Sequence, residues 1–240
     1  MSELLTSYQP ATILSNDLLG NNIRHMIIAP QAPLPFEAGQ FFLVRLRDEK
    51  GEYVERSYSA ANYSDGKLIE FVIRIEPHGH MSRIIDTLKP GDSMDIKGPF
   101  GRFGFGGLPE DFERLVLVAA GVGISPLRSI LQKTFQYDDT YPLQLFYGFR
   151  TPADYLFQKE LESSVESGRL ELFICLSEGT QFPGWEQQAG YVTDFFEGRI
   201  FEPSPGTHSL ICGPPPMVKS TREKLFAMGH ERKQVHVEAW

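Results

Sequence analysis

The first half of the chain is dominated by short stretches in which apolar and polar residues alternate, or nearly alternate. A period of two is typical of antiparallel strands with one buried face, and Gly, Pro, Asn and Asp separate the stretches at close spacing. We expect such a series to pack as a small antiparallel barrel. The stretches are ATIL, IRHMIIA, QFFLVRL, YVERSYSAA, LIEFVIRI and DSMDIKG, and one helix is predicted among them at MSRIIDTLK.

The second half has a different pattern, in which continuous apolar runs alternate with helical periodicity. The runs lie at residues 115–120, 143–148, 170–176, 208–212 and 235–239, and the clearest helical patterns are PADYLFQKELESSV and PPPMVKSTREKLFAMG. Continuous apolar strands are typical of a parallel sheet covered on both faces. The pattern therefore predicts a barrel domain at residues 1–107, followed at residues 108–240 by an α/β domain with a five-stranded parallel sheet.

Composition agrees with two modest cores and narrows the range of partners. The chain has 240 residues, of which 41% are hydrophobic, and a formal net charge of −8. An acidic protein without a basic run is a poor partner for nucleic acid or an anionic membrane. The N-terminal sequence MSELLTSYQP has no features of a targeting signal, and no apolar stretch approaches the length needed to cross a bilayer. We expect a soluble, cytoplasmic protein.

A candidate binding site lies in RLVLVAAGVGISPLRSIL, which runs from a buried strand through a glycine turn into a helix. Gly121 and Gly123 allow a tight turn and a close approach of a ligand to the backbone. Ser125 is the predicted N-cap of the helix and Pro126 its first residue. Unpaired amides and the positive end of the helix dipole attract an anion, most often a phosphate. Taken by itself, the pattern fits a simple strand–helix connection equally well.

Two further segments carry groups suited to a phosphate-bearing ligand. In RSYS, Arg56 can pair with phosphate through two hydrogen bonds, while Tyr58 and Ser59 offer a ring and a hydroxyl. GHMS at residues 79–82 precedes the predicted helix and is a second candidate for anion binding at a helix N-terminus. Taken singly, RSYS also fits an exposed strand, and GHMS fits an ordinary turn.

The motifs RSYS, GHMS, GPFGRF, AAGVGISP, YGFR and CGPPPM follow one another in the order and approximate spacing of the ferredoxin-NADP reductase family. The chain resembles that family over nearly its whole length, and the ordered set is more specific than any one motif. The resemblance implies an N-terminal flavin-binding barrel and a C-terminal nicotinamide-nucleotide domain. It also implies that a hydride passes from nicotinamide to flavin in the cleft between them.

The resemblance assigns the barrel motifs to FAD, which is favoured over FMN. Arg56 resembles the residue that holds the flavin phosphate, Tyr58 the ring packed on the isoalloxazine, and Ser59 the hydroxyl near flavin N5. GHMS resembles the helix N-terminus that holds the pyrophosphate. The predicted FAD residues are Arg56, Ser57, Tyr58, Ser59, Ile73, Gly79, His80, Met81, Ser82 and Trp240.

The resemblance assigns the motifs of the α/β domain to NAD(P)H as co-substrate. Cys212 resembles the thiol beside nicotinamide C4, although a buried unreactive cysteine is the commoner case in general. Glu178 stands where relatives that select NADPH often have arginine, and a carboxylate there repels a 2′-phosphate and favours NADH. Arg150 leaves NADPH open, because it too could reach a 2′-phosphate. The predicted NAD(P)H residues are Gly121, Gly123, Ser125, Pro126, Arg150, Ser177, Glu178, Cys212, Gly213, Pro214 and Met217.

The last segment, VHVEAW, predicts a final strand followed by an aromatic residue. By resemblance, Trp240 stacks on the flavin face that nicotinamide must occupy, and Glu238 joins the groups around the reacting centre. The alternative for Trp240 is packing on an apolar surface. The predicted catalytic residues are Ser59, Cys212, Glu238 and Trp240.

Together these residues predict an NAD(P)H-dependent flavoprotein that delivers electrons to a ferredoxin, a flavodoxin or an oxygenase component. One alternative is an electron-transfer flavin subunit of a larger redox complex. A reductase of free flavin is a further alternative, and the GHMS and GPFGRF segments argue against it because they resemble FAD-holding segments. Cys175 and Cys212 lie in separate apolar runs, so we expect no disulfide, metal or iron–sulfur site, and a one-electron partner is a separate protein.

Overall fold

The first half of the chain forms a six-stranded antiparallel sheet that curls into a barrel in the computed structural model, which describes residues 7–137 and 141–239. All of the predicted strands are present in the predicted order, and the predicted helix follows the fifth. The elements are β1 (Gln9–Gly20), β2 (Ile23–Pro30), β3 (Phe41–Arg47), β4 (Tyr53–Ser59), β5 (Ile69–Arg74), α1 (His80–Thr87) and β6 (Ser93–Phe100). The strands are ordered β4-β3-β6-β1-β2-β5.

The alternating pattern of the barrel strands corresponds to their two faces. In β3, Phe42, Val44 and Leu46 are buried, whereas the residues between them are less buried. A strand turns successive side chains to opposite faces, so one apolar set fills the core. Phe42 and Phe71 pack edge to face at the centre of that core, with ring centroids 6.3 Å apart.

The second half forms the predicted five-stranded parallel sheet. Its elements are β7 (Arg114–Ala120), α2 (Ile124–Gln136), β8 (Leu143–Phe149), α3 (Gln158–Glu166), β9 (Glu171–Leu176), β10 (Thr207–Gly213), α4 (Pro215–Ala227) and β11 (Val235–Ala239). The strands are ordered β11-β10-β7-β8-β9. Every residue of β8 and β10 is buried, because helices or loops cover both faces. This burial explains why these strands are apolar without alternation. The fold predicted from the sequence is confirmed, whereas the domain boundary at residues 107 and 108 stays a prediction.

The start of α2 differs from the prediction. A turn of 3₁₀ helix at Gly121–Gly123 leads directly into α2, so the N-cap is Gly123 and the helix begins at Ile124. The assignment of Ser125 as N-cap and Pro126 as first residue was therefore wrong. Ser125 is already helical, and its Oγ donates to the carbonyl of Val122 at 2.7 Å. Pro126 is the third residue, still within the first turn, where a missing N–H costs no intrahelical bond.

The helix predicted at PADYLFQKELESSV also begins later than its pattern. A turn of 3₁₀ helix occupies Pro152–Asp154, and α3 itself starts only at Gln158. The break lies at Phe157, whose φ of 57° is left-handed. A bulky residue in that region is unusual and persists only when its surroundings hold it there.

The two domains meet along one side of α2, through polar groups and through an apolar cluster that includes Ile23, Ala38, Ala61 and Val72 of the barrel domain. Ser129 Oγ accepts a hydrogen bond from the amide of Gly39 at 2.8 Å, and Gln132 Oε1 accepts one from the amide of Tyr63 at 2.9 Å. One turn after Ser129, Lys133 Nζ lies 2.5 Å from Glu37 Oε2. These bonds attach the helix that follows the glycine turn directly to the barrel domain.

Membrane-spanning helices require length and sustained apolar character. Within residues 7–137 and 141–239, none of the helices meets both requirements.

A substitution at Gly123 tests how closely the glycine turn packs against the end of β10. A Cβ on Gly123 would lie 2.3 Å from the carbonyl oxygen of Cys212 and 2.9 Å from Cα of Gly213. Backbone atoms cannot move aside as a side chain can, so Gly123→Ala is expected to lower the free energy of unfolding by about 1–3 kcal/mol. Urea denaturation of the full chain measures the change.

Gly106→Ala is the matched control, since no heavy atom lies within 4 Å of its Cβ position. We expect this control to change stability by about 0.5 kcal/mol at most. Equal stabilities of the two variants would show that the glycine turn and the end of β10 are not in close contact.

Candidate functional site

A cleft of about 790 Å³ lies between the carboxyl edge of the parallel sheet and the end of β5 in the barrel domain. Open parallel sheets bind ligands at this edge. The predicted residues that line the cleft are Gly121, Arg150, Ser177, Pro214 and Met217. The barrel domain contributes Arg74 and Glu76, which the sequence analysis did not single out.

Gly121, the first residue of the glycine turn at Gly121–Gly123, lines this cleft. Gly121 has a φ of 55°, and Arg74 Nη2 lies 3.4 Å from the position that its Cβ would occupy. No side chain caps α2, and its first turn contains no acidic residue. A guanidinium group and an uncapped helix N-terminus therefore face the same space, an arrangement that suits a phosphate or pyrophosphate.

Arg150 lines the cleft directly after β8, whereas Glu178, two residues after the end of β9, lies beside Arg150 and is not part of the lining. Arg150 Nε is 3.7 Å from Glu178 Oε1, and the two side chains are 72% and 40% exposed. The amide of Ser177 donates to the carbonyl of Phe149 at 3.0 Å, which continues the pairing of β8 and β9 up to this point. The two side chains are thus placed side by side with opposite charges, where either one can meet a ribose or its phosphate.

Ser59, Cys212 and Glu238 come together where the barrel meets the parallel sheet. Ser59 Oγ donates a hydrogen bond to Glu238 Oε1, although the two residues are 179 positions apart in the chain. Cys212 on β10 is the direct register partner of Glu238 on β11. The structure thus assembles these three predicted catalytic residues; the fourth, Trp240, lies outside the described residues.

Burial sets the protonation behaviour around this centre. Burial raises the pKa of Glu238, and the hydrogen bond from Ser59 opposes part of that rise because it stabilises the carboxylate. Cys212 is fully buried, and the cysteine that lines the cleft is Cys175. Burial raises the pKa of Cys175 to about 12, so that thiol stays protonated and unreactive at neutral pH.

On β4, the barrel domain presents Arg56 and Tyr58. Arg56 is exposed and donates to the carbonyl of Glu55 at 2.7 Å, and no carboxylate of residues 7–137 and 141–239 lies within ion-pair distance of it. The ring of Tyr58 packs 6.0 Å from that of Phe71, and burial raises its pKa to about 12. Tyr58 is therefore a neutral, partly exposed ring beside a free cation.

The start of α1 offers backbone groups for an anion. Its N-cap, Gly79, makes no side-chain capping bond, and the first turn contains no acidic residue. Ser82 Oγ accepts from the amide of Glu76 at 3.1 Å and would lie 2.5 Å from a Cβ on Gly79, so the turn leading into α1 is held tight and needs glycine. His80 Nε2 lies 3.4 Å from Asp48 Oδ2 in the β3–β4 turn.

These groups fit a flavin nucleotide. A free arginine and an uncapped helix N-terminus suit its phosphates, and the ring of Tyr58 suits the flat isoalloxazine. Ser57 is exposed next to Tyr58, on the other face of β4. The side chains of Ile73 and Met81 are packed in the barrel core, so contacts of these two residues with a ligand run through their backbone.

Two family models match the chain, one to each domain. The model of the oxidoreductase FAD-binding domain matches residues 11–105, and that of the oxidoreductase NAD-binding domain matches residues 117–223. The chain belongs to the ferredoxin-NADP reductase family. As a family member, it combines a barrel domain for FAD with a parallel-sheet domain for NAD(P)H as co-substrate.

Several similar proteins are electron-transfer components of oxygenases or ferredoxin reductases. The xylene/toluene monooxygenase electron transfer component XylA of Pseudomonas putida is 31% identical over 229 residues, which are 94% of this chain and 63% of XylA. Ferredoxin–NAD(P)+ reductase CarAd of Metapseudomonas resinovorans is 30% identical over 229 residues, 95% of this chain and 66% of CarAd. The chain thus spans less than two thirds of either relative. The solved structure of the ferredoxin reductase in carbazole 1,9a-dioxygenase superposes with a TM-score of 0.84 and 27% identity, covering 97% of this chain and 69% of that one.

Arg74 and Glu76 are the charged cleft residues that sequence reasoning missed in this family member. Both follow the buried residues of β5, where a charged residue is an ordinary strand ending. Their role depends on β5 ending opposite the glycine turn of the other domain, a contact between segments far apart in the chain. The one available signal was the charge of Arg74 directly after Ile73, which was itself predicted to contact FAD.

The raised pKa of Glu238 gives stability a pH dependence of defined sign. The folded state holds the proton more tightly than the unfolded chain, so the contribution of Glu238 is fully present at low pH and is lost as pH rises through its folded pKa. Glu238→Gln cannot ionise. We expect the variant to gain stability relative to the wild type as pH rises from 4 to 8, measured by urea denaturation.

Glu223→Gln is the control, because Glu223 is an exposed carboxylate on α4. It should follow the wild-type pH dependence. A difference between Glu238→Gln and wild type that stays constant across the pH range would show that Glu238 ionises as freely in the folded protein as in the unfolded chain.

Proposed function

We propose that the protein is an NAD(P)H-dependent flavoprotein reductase that takes a hydride from NADH and passes electrons singly to a protein acceptor. The observation that carries this proposal is the meeting of Ser59, Glu238 and Cys212 at the junction of the two domains. Cys212 directly precedes the loop whose Pro214 lines the nucleotide cleft, while Ser59 ends the strand that carries Arg56 and Tyr58. The groups of both domains converge at the place where a hydride would pass.

The residues of the barrel domain hold the flavin in this proposal. Arg56 and the N-terminus of α1 bind its phosphates, and Tyr58 packs against its ring. FAD, when bound, supplies the ability to accept two electrons together and release them one at a time. The site residues themselves orient the ring and govern protons at its edge.

NADH enters the cleft in an extended form. Its pyrophosphate lies over Gly121–Gly123, where Arg74 approaches from the opposite domain. Its adenosine ribose lies at Glu178, whose carboxylate accepts hydrogen bonds from the ribose hydroxyls. Closing a substrate between two domains aligns its reacting carbon without a covalent bond to the protein.

Ser59 and Glu238 hold and transfer a proton at the flavin edge in this proposal. A carboxyl group whose pKa is raised by burial can hold a proton closer to neutral pH than an exposed one. The hydroxyl of Ser59 is bonded to that carboxyl group and can transfer a proton between Glu238 and the flavin edge. Glu238 is thus the proton reservoir and Ser59 the relay in this proposal.

The acceptor we propose is a ferredoxin, a flavodoxin or an oxygenase component in the cytoplasm. Support comes from the similar proteins, one an electron transfer component of a monooxygenase and another a ferredoxin reductase. The chain has two cysteines, too few for a four-thiolate iron–sulfur cluster. Electrons therefore leave these 240 residues to reach a one-electron centre elsewhere.

FAD binding tests the first half of this function. Purified protein is expected to bind FAD non-covalently, and Arg56→Ala should weaken binding by about 1.5–3 kcal/mol, roughly 10- to 150-fold in Kd, through loss of a charge-assisted pair. Flavin fluorescence quenching measures the Kd. Arg47→Ala removes an arginine from the neighbouring strand and should leave the Kd unchanged. Wild-type protein that binds no flavin after reconstitution would contradict the proposed function.

Nicotinamide selection tests the assignment of Glu178. We expect wild type to have the larger kcat/KM with NADH, and Glu178→Arg to raise the NADPH to NADH ratio by about tenfold, equivalent to about 1.4 kcal/mol. Ferricyanide reduction gives both constants. Glu166→Arg makes the same charge change at an exposed position at the end of α3. If both variants shift the ratio equally, the effect comes from net charge, and Glu178 does not face the ribose.

A further inference from the structure

Arg128 of α2 is a buried arginine bonded to both domains. Its side chain is 10% exposed. In the barrel domain, its Nη1 donates to the carbonyl of Ala61 at 2.7 Å and to Glu70 Oε2 at 2.8 Å. In the parallel-sheet domain, its Nε donates to Glu160 Oε2 at 2.8 Å. One guanidinium group therefore fixes three segments from two domains.

The groups around Arg128 are themselves held in place. The guanidinium carbon lies 4.1 Å from the ring centroid of Phe157, the residue with left-handed backbone that precedes α3. The ring of His25 packs edge-on against Phe157, and its Nε2 lies 2.8 Å from Glu70 Oε2. Burial by itself would raise the pKa of Glu70, but His25 and Arg128 lower it overall, so Glu70 stays ionised opposite the arginine.

The two barrel segments that bind Arg128 each lead to a part of the proposed active site. Ala61 follows Ser59 by two residues, and Glu70 lies on β5, which ends at Arg74 in the cleft. Arg128 itself lies on the helix that begins directly after Gly121–Gly123. The network thus joins the turn that receives the pyrophosphate to the strands that hold the flavin side.

The hydrogen bonds of the Arg128 guanidinium are directional, so they can fix the angle between the two domains. A guanidinium is a rigid planar fork, and a buried charge has no water to replace a lost partner. The neighbouring interdomain contacts of Ser129 and Gln132 are single hydrogen bonds, which allow more rotation. A small change in domain angle would displace the nicotinamide from the reacting centre, and a displacement of about 1 Å can cost roughly 100-fold in rate.

We propose that Arg128 is a positioning residue, which sets the angle between the two domains and thereby the alignment of Gly121–Gly123 with Ser59. The inference rests on the proposed hydride transfer for its functional consequence, while its structural consequence stands without it. Arg128 touches neither substrate nor cofactor in this role.

The test compares Arg128→Met, which keeps length and loses charge, with Arg128→Lys, which keeps charge and loses the fork. Arg24→Met is the matched control, because Arg24 makes its 2.8 Å ion pair with Asp86 inside the barrel domain. Differential scanning calorimetry of the full chain reports whether the domains unfold together. Stopped-flow reduction of the flavin-loaded protein at saturating NADH reports hydride transfer, and fluorescence titration reports the Kd for FAD.

For Arg128→Met we expect two calorimetric transitions in place of one, hydride transfer slowed roughly 10- to 100-fold, and a Kd for FAD within about twofold of wild type. Arg128→Lys should recover part of the rate, and Arg24→Met should keep one transition and the wild-type rate.

If Arg128→Met does not fold, the intermediate rate of Arg128→Lys carries the test. A single transition with the wild-type rate in either Arg128 variant overturns the proposal. Wild-type protein that NADH cannot reduce overturns the proposed function instead, and the calorimetric comparison still decides the role of Arg128.

Discussion

The packing of α2 against the barrel domain is the contact on which the rest of the structure depends. The barrel has one core of its own, and a second apolar cluster runs from the parallel sheet to Ile23, Ala38 and Val72 of the barrel domain. The candidate chemistry depends on how the two domains meet. It lies where Ser59 of the barrel reaches Glu238 of the sheet, and where Arg74 approaches Gly121. Both meetings require one orientation of the domains, and polar groups of α2 provide the bonds that hold it. These directional bonds define the angle more sharply than the apolar contacts beside them, which are not directional.

Charge is distributed around the cleft according to what each part must bind. Among residues 7–137 and 141–239, no carboxylate lies within ion-pair distance of Arg56 or Arg74, and Arg74 lies beside the glycine turn, where a ligand phosphate can neutralise it. Burial instead raises the pKa of three groups in different places, Tyr58 on β4, Cys175 in the cleft and Glu238 beside Ser59. Buried surroundings have a low dielectric constant, which strengthens the electrostatic interactions of any charge among them. They also limit the exchange of protons with water.

The sequence predicted the architecture because its signals are local. Alternation in strands such as β3 and continuous apolar runs in β8 and β10 report burial on one face or on two, and both were interpreted correctly. The start of α2 was misplaced because a 3₁₀ turn can extend a helix backwards through glycine, against the residue preferences of an N-cap. The meeting of Ser59 with Glu238 was expected from family resemblance, since no periodicity relates residues 179 positions apart. Arg74 and Arg128 could not be found, because a polar residue at a domain interface has the same local pattern as one facing water.

The end of the cleft near Arg150 and Glu178 shows how exposure decides between two opposing charges. Arg150 would attract a 2′-phosphate and Glu178 would repel it, and at a separation of 3.7 Å each also weakens the field of the other. Water screens the more exposed group more strongly, and Arg150 is 72% exposed whereas Glu178 is 40% exposed. Water therefore screens the charge of Glu178 toward a bound nucleotide less than it screens the charge of Arg150. In the function we propose, this balance favours a ribose with free hydroxyls, and the excess negative charge of the whole chain adds to it in the same direction.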